Sequence, residues 1–377
     1  MRPSRFALYL LLAAGTALVS AAQAKATDLR ALYSVPQEQW PAPIVAPGNQ
    51  VTPLAALPEN ATHTESAGSG TSSLLKARRE LGKSLFFDPV LSGSGQHACA
   101  SCHDPDLGWA DGRRFSFGHD RQQGQLNSPT ILNAGYLKEL FWDGRAGSLE
   151  EQAAASITNP IEMAGNPSEI IERLQAVDAY RQLFEKAFGD PEVDFDRVTV
   201  AIADFVRQRT TTATRFDRFM RGDQSALNDQ ELHGLHLFRT KGRCMNCHNG
   251  PLLTDGKYHH LGTAFYEVGN YTGRFAVTKK NEDFSAFRTA PLRNVAVTAP
   301  YMHNGLLADL DHVLASYNMG WWQNQPTELG RQDPRFAQLS SLIQPLNLDQ
   351  QELQALKAFL LTLGKGAPYM TPTELPR

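Results

Sequence analysis

The chain has 377 residues, with 36 basic against 39 acidic side chains and a formal net charge of −3. A mildly acidic chain is a poor nucleic-acid binder, so no nucleic-acid partner is expected, and docking to another protein would need a local patch rather than a global field. Hydrophobic residues make up 42% of the sequence, and the length suits two soluble domains of ordinary size.

Residues 1–24 read as a secretory signal. Arg2 and Arg5 form a short basic start, Phe6 to Leu18 an apolar run, and Ala22-Gln23-Ala24 a cleavage site after Ala24. The run is too short and wrongly flanked for a stable membrane span. Losing it removes two Arg and no acid, so the remainder is more acidic. The expected location is the periplasm. Residues 25–73 are rich in Pro, Ala, Ser and Thr without sustained periodicity, and read as an extended or disordered arm.

Leu74 to Leu85 reads as a helix, and Ser92-Gly93-Ser94-Gly95 as the loop after it. Asn166-Pro167-Ser168-Glu169 carries the N-cap, N1 and N3 signals of a helix that should run to about Phe188 and stop at Gly189. Phe195 to Gln208 is amphipathic, with Val198, Ile202, Phe205 and Val206 on one side. Asn228 with Glu231, and Asp349 with Glu352, form capping-box signatures for two further helices, the last stopping near Gly364. No strand-rich section is visible.

All four cysteines fall in two Cys-x-x-Cys-His motifs, Cys99 to His103 and Cys244 to His248. Each is the signature of covalent c-type haem attachment, with two thioether-forming cysteines and an iron-binding histidine. A zinc site built from two Cys-x-x-Cys pairs would leave each following His unexplained. A thioredoxin-like pair would need a neighbouring βαβ pattern. Two disulfides are the usual fate of four cysteines in an exported chain, but the identical framing favours two haem c groups. The fold expected is mainly α, with two cytochrome c-like haem domains, long loops and haems near the domain interface, divided as 74–222 and 223–377.

Further motifs surround these two. They are Phe87-Asp88-Pro89, Leu91 to Gly95, Phe141-Trp142-Asp143-Gly144-Arg145-Ala146, Gly273 to Thr278, Ala290 to Val295, and Thr298-Ala299-Pro300-Tyr301-Met302-His303. From about Leu81 to Leu363 the chain resembles the bacterial di-haem cytochrome c peroxidases and their relative MauG. The resemblance implies that the first haem, on His103, is the peroxidatic one. His119 then matches a distal histidine that caps the iron at rest in many of these enzymes, and whether it does so here is left open. Trp142 matches the Trp between the haems. Gln152 and Glu162 match the polar pair that handles peroxide protons. Glu162 lies between apolar neighbours, which should raise its pKa.

The second haem, on His248, would be the electron-entry haem. Its sixth ligand by register is Tyr317, as in MauG, with Met319 as the alternative. A thioether would raise the haem potential, and a phenolate would lower it. The resemblance also implies a Ca²⁺ ion held by Asn127 and the carbonyls of Thr298 and Pro300, and leaves a homodimer open. The expected activity is reduction of hydrogen peroxide to water with electrons from a c-type cytochrome or cupredoxin. The alternative is a MauG-like enzyme that uses peroxide to oxidise side chains of a partner protein. A purely electron-transferring di-haem cytochrome would leave Gln152 and Glu162 without a task.

Overall fold

Two helix crossings, each built on a glycine, organise the chain. The computed structural model describes residues 29–57, 72–211, 213–263, 271–322, 328, 332–336, 339–365, 370 and 374–377. The signal sequence lies outside them. Helix α1 (Ser72–Phe87) crosses a later helix of the same half at Gly82, where an added Cβ would sit 1.8 Å from the Ala201 carbonyl oxygen and 3.0 Å from Phe205 Cβ. In the second half the crossing is at Gly234, whose Cβ would meet the Ala355 carbonyl oxygen at 2.0 Å and Phe359 Cβ at 2.7 Å. The same device, a Gly set against an Ala and a Phe four residues on, thus recurs in both halves. Backbones that close can be reached only where no side chain intervenes.

Between the helices of the first crossing lie α2 (Leu149–Thr158), α3 (Pro167–Gln175) and α4 (Asp178–Phe188), and α5 (Phe195–Arg207) completes it. Val198, Ile202, Phe205 and Val206 are buried, as the periodicity predicts. A single helix to Phe188 is not what forms. It breaks at Val177, which is extended (φ −102°, ψ 112°), so that α4 turns and buries Tyr180, Phe184 and Ala187 in the core. Asn166 caps α3 as expected, and Gly189, at φ 92°, ends α4.

The second half holds α6 (Arg215–Met220), α7 (Asp229–Arg239), α8 (Leu310–Met319) and α9 (Gln350–Leu361). Both expected capping boxes close, Asn228 with Glu231 and Asp349 with Glu352. Each satisfies two otherwise orphaned backbone donors. Among the described residues the only sheet is β1 (Tyr258–His259) against β2 (Phe287–Arg288), paired Tyr258 to Arg288 and His259 to Phe287. The chain is therefore mainly α. No described helix is long and apolar enough to cross a membrane.

Two hydrophobic cores result, one from residues between Leu81 and Val206, the other from Phe216 onward. The second contains a surprise. Tyr33, Trp40 and Leu54, from the segment expected to be an extended or disordered arm, are buried in it. Residues 29–57 form an irregular strap with one short 3₁₀ turn at Gln37–Gln39. The strap also runs along the second Cys-x-x-Cys-His motif. Ala46 N–H donates to Asn246 Oδ1 (2.8 Å), Asn49 Nδ2 to the Asn246 carbonyl (2.9 Å), and Gly250 N–H to the Thr52 carbonyl (3.0 Å). Its disorder-like composition is outweighed by a few large side chains placed where a core can accept them.

Candidate active site

Each Cys-x-x-Cys-His motif folds as a 3₁₀ turn, Cys99–Ser101 and Cys244–Asn246, with all four cysteines unpaired. Burial raises the Cys99 and Cys244 thiols to about 12, so these sulfurs sit in apolar surroundings. The two histidines are held identically. His103 Nδ1 lies 3.1 Å from the Trp109 carbonyl, and His248 Nδ1 lies 3.1 Å from the Leu253 carbonyl. A carbonyl can only accept, so Nδ1 carries the proton and Nε2 keeps its lone pair for a metal. Both carbonyls are turned inward by the same means: Trp109 (φ 62°) and Leu253 (φ 54°) are buried residues in the left-handed region. Two unpaired cysteines and a histidine with a free Nε2, repeated twice, fit two covalently held haems.

Around the first motif the structure gathers Gln152, Ser156, Asn159 and Glu162. Gln152 Nε2 donates to Ser156 Oγ at 3.0 Å, Ser156 bonds in turn to Glu162, and Asn159 Nδ2 donates to Glu162 Oε1 at 2.8 Å. Burial raises the Glu162 carboxyl above its usual range, against smaller opposing effects from Ser156, Arg145 and Asn159. Its charge is felt by both Cys99 and Cys102, which places it on the motif's side. His119 belongs to the same neighbourhood. Its backbone N–H donates to the Ile161 and Glu162 carbonyls (3.1 and 2.8 Å), and a Cβ on Gly118 would lie 2.1 Å from the Ile161 oxygen. The turns carrying His119 and Glu162 are therefore joined through their backbones. The His119 ring has Nε2 3.3 Å from the Asp120 carboxylate and a buried Nδ1 without a partner among the described residues.

The second motif opens onto a cavity of about 240 Å³, lined by Cys244, Cys247, His248 and, from α8, Tyr317. Burial raises the Tyr317 phenol, and the nearby Cys247 and Cys244 sulfurs raise it further. Met319 is 59% exposed and does not line the cavity. Helical geometry explains the difference: residues two apart point to opposed sides of a helix.

Trp142 lies against the same cavity. Its Nε1 donates to the Asn127 carbonyl at 2.8 Å, its ring is 6.5 Å from the His303 ring, and Asn127 N–H donates to the His303 carbonyl at 2.8 Å. Asn127 thus links the two halves. Asn127, Thr298 and Pro300 all border this cavity. Asn127 Nδ2 donates to the Arg113 carbonyl (2.8 Å), which leaves its Oδ1 for another partner. Several participants carry no sequence signal: Ser156 and Asn159 around Glu162, and the Asp255–His259 pair (2.9 Å) next to Cys247. Arg145, which bears on Glu162, does lie in a recognised motif, stacked 3.4 Å above the Phe141 ring.

This combination, a mainly helical chain with two haem-attachment turns and a buried carboxylate beside one of them, defines a di-haem redox enzyme. The sequence profile of the di-haem cytochrome c peroxidases matches residues 76–225. A cytochrome c551 peroxidase of Nitrosomonas europaea is 45% identical over 238 residues, covering 62% of this chain and 71% of that protein. The methylamine utilization protein MauG of Methylorubrum extorquens is 38% identical over 299 residues, covering 78% and 80%. The crystal structure of a MauG-like protein associated with microbial copper homeostasis superposes with a TM-score of 0.69 at 29% identity, covering 88% of this chain and 94% of that one. The chain belongs to the di-haem cytochrome c peroxidase family. It is an oxidoreductase with peroxide as acceptor and two haem c cofactors.

Proposed function

We propose that the protein is a periplasmic peroxidase that reduces hydrogen peroxide to two waters, taking two electrons, one at a time, from a c-type cytochrome or cupredoxin, and two protons. The observation that carries this reading is the buried Glu162 beside the first motif, bonded to Asn159 and, through Ser156, to Gln152. The haems, held at Cys99, Cys102 and His103 and at Cys244, Cys247 and His248, would supply the redox equivalents and an iron for peroxide. The protein's own part is proton handling. Ionised Glu162 takes a proton from the near peroxide oxygen and returns it to the far one, which leaves as water. Gln152 orients the peroxide and the bonded Ser156. His119 is the candidate resting ligand of the first iron. Because its turn is tied to that of Glu162, moving one shifts the other. Trp142 connects the two sites, and Asn127 Oδ1 with the Thr298 and Pro300 carbonyls forms an all-oxygen set suited to Ca²⁺.

Tyr317 on the cavity wall, with Met319 turned to solvent, favours a second reading. In it the enzyme stores oxidising equivalents and passes them to side chains of a partner protein, as a phenolate-ligated second haem would allow. One experiment tests the first reading. Purified holoenzyme with two haems per chain is mixed with peroxide and a reduced cytochrome, in wild type and Glu162→Gln. A base must be ionised to act, so the wild-type rate should fall as pH drops through the Glu162 pKa. Burial puts that limb above the ordinary carboxylate range. The variant should lose on the order of 10²–10⁴-fold in rate, along with the limb. Equal turnover in both proteins would remove Glu162 from the mechanism.

A further inference from the structure

We infer that Tyr317, Trp321 and Trp322 form an electron route from the second haem site to the protein surface, with Trp322 as the point where a one-electron redox partner exchanges electrons. The proposal rests on the reading of Tyr317 as facing the second iron. The three rings touch in series: Tyr317 to Trp321 at 5.2 Å between centroids, and Trp321 to Trp322 at 5.7 Å, both edge to face. Exposure grades along the series. Tyr317 lines the cavity, Trp321 is 5% exposed, and Trp322 is 42% exposed.

The backbone is bent to make this series. Gly320, at φ 77°, ends α8, with its N–H on the Tyr317 carbonyl (3.0 Å) and the Trp321 N–H on the Ser316 carbonyl (2.9 Å). That pair of bonds is the Schellman turn. A Cβ at Gly320 would lie 2.7 Å from Pro345. Trp321 itself adopts φ 59°, a region that a bulky side chain rarely occupies. The turn folds the Trp321 indole back over the helix it has just left, against Tyr317. Trp322 is fixed as well, since its carbonyl oxygen packs 2.4 Å from where a Cβ on Gly262 would be.

Met319 and Trp322, both exposed and apolar, flank the outer end, the kind of small contact that short-lived redox complexes use.

With peroxide and no reductant, the two electrons must come from the protein. At Trp322 they leave with two protons as water adds one oxygen to the indole. Peroxide takes up two electrons and two protons to give two waters. The net change is tryptophan plus peroxide to hydroxytryptophan plus water.

The test treats holoenzyme with a few equivalents of peroxide, follows peroxide consumption, and maps oxidised residues by peptide mass spectrometry in wild type, Trp321→Phe and Trp322→Phe. Trp322 should carry more of the mark than Trp40, Trp109 or Trp142. The mark should drop at least fivefold in Trp321→Phe with two haems still bound. Exposed Met319 reports direct attack by peroxide, and its sulfoxide should be equal in all three proteins. If peroxide is consumed while Trp322 stays unmarked, or is marked equally in Trp321→Phe, the route is overturned and the peroxidase reading stands. If no peroxide is consumed, the treatment is repeated on holoenzyme given one electron per chain beforehand, which frees an iron capped by His119; no consumption there either fells the peroxidase reading and takes the route with it.

Discussion

Tyr317 and Met319 are two residues apart on one helix, yet only the first reaches the cavity of the second motif. A phenolate ligand is hard and anionic and favours ferric iron, whereas a thioether favours ferrous. Tyr317→Met should therefore raise one of the two haem reduction potentials by at least ~0.1 V, within the ~0.8 V that axial ligands command, and leave the other unchanged. Met319→Leu should change neither. Potentiometric titration followed by absorbance reads both, and a shift in the Met319 variant alone would exchange the two assignments. Residue placement was legible where a short motif sets it, as with the turn from Cys99 to His103, or where a landmark fixes register, as with Tyr317 on the cavity wall. Ser156 and Asn159 were not, because their value lies in contacts to Glu162 that only the folded turn creates. The carbonyls that orient His103 and His248 were hidden for another reason. They depend on the left-handed backbone of Trp109 and Leu253, and neither a Trp nor a Leu advertises that conformation.

At the scale of elements, capping chemistry was the most readable signal. Asn228 with Glu231 and Asp349 with Glu352 close as their spacing demands, because the bonds are local. The break between α3 and α4 was not readable, since it answers to the core that α4 must reach rather than to a breaker residue. The repeated crossing was equally silent: Gly82 and Gly234 look like weak points in otherwise good helices. Their position against the Ala201 and Ala355 carbonyls makes them indispensable. Gly82→Ala and Gly234→Ala should each destabilise the protein by ~3 kcal/mol or more, the upper end of overpacking costs, although alanine is the better helix former. Gly124→Ala, where the new Cβ meets nothing closer than 3.6 Å, should stay within ~0.5 kcal/mol. Urea denaturation of the holoenzymes compares them. A neutral effect at Gly82 or Gly234 would mean that the helices part more easily than their packing implies.

At the scale of the molecule, the second half and the strap meet at one fully buried ion pair, Arg293 with Asp217 (2.8 Å, both side chains 0% exposed). Arg293 Nη2 also donates to the Ala55 carbonyl at 3.0 Å, and its Nε to the Pro251 carbonyl at 2.9 Å, between the strap and the second haem motif. Asp217 accepts from Leu57 N–H (3.0 Å) and from Thr214 N–H and Oγ1 (2.9 and 2.6 Å). A desolvated pair adds little net stability when compared with an apolar replacement, but breaking one side leaves an unpaired buried charge. Asp217→Ala should therefore cost ~3–5 kcal/mol. If the pair's charge were all that mattered, Asp217→Leu with Arg293→Met would restore stability. Here it should not. The Leu57 and Thr214 donors and the Ala55 carbonyl would stay buried without partners, each missing bond costing ~1–3 kcal/mol. The double variant is expected to remain clearly below wild type in urea midpoint, and its strap to become open to protease between residues 29 and 57. Full recovery in the double variant, with the strap still protected, would show that Tyr33, Trp40 and Leu54 hold the strap by apolar burial alone.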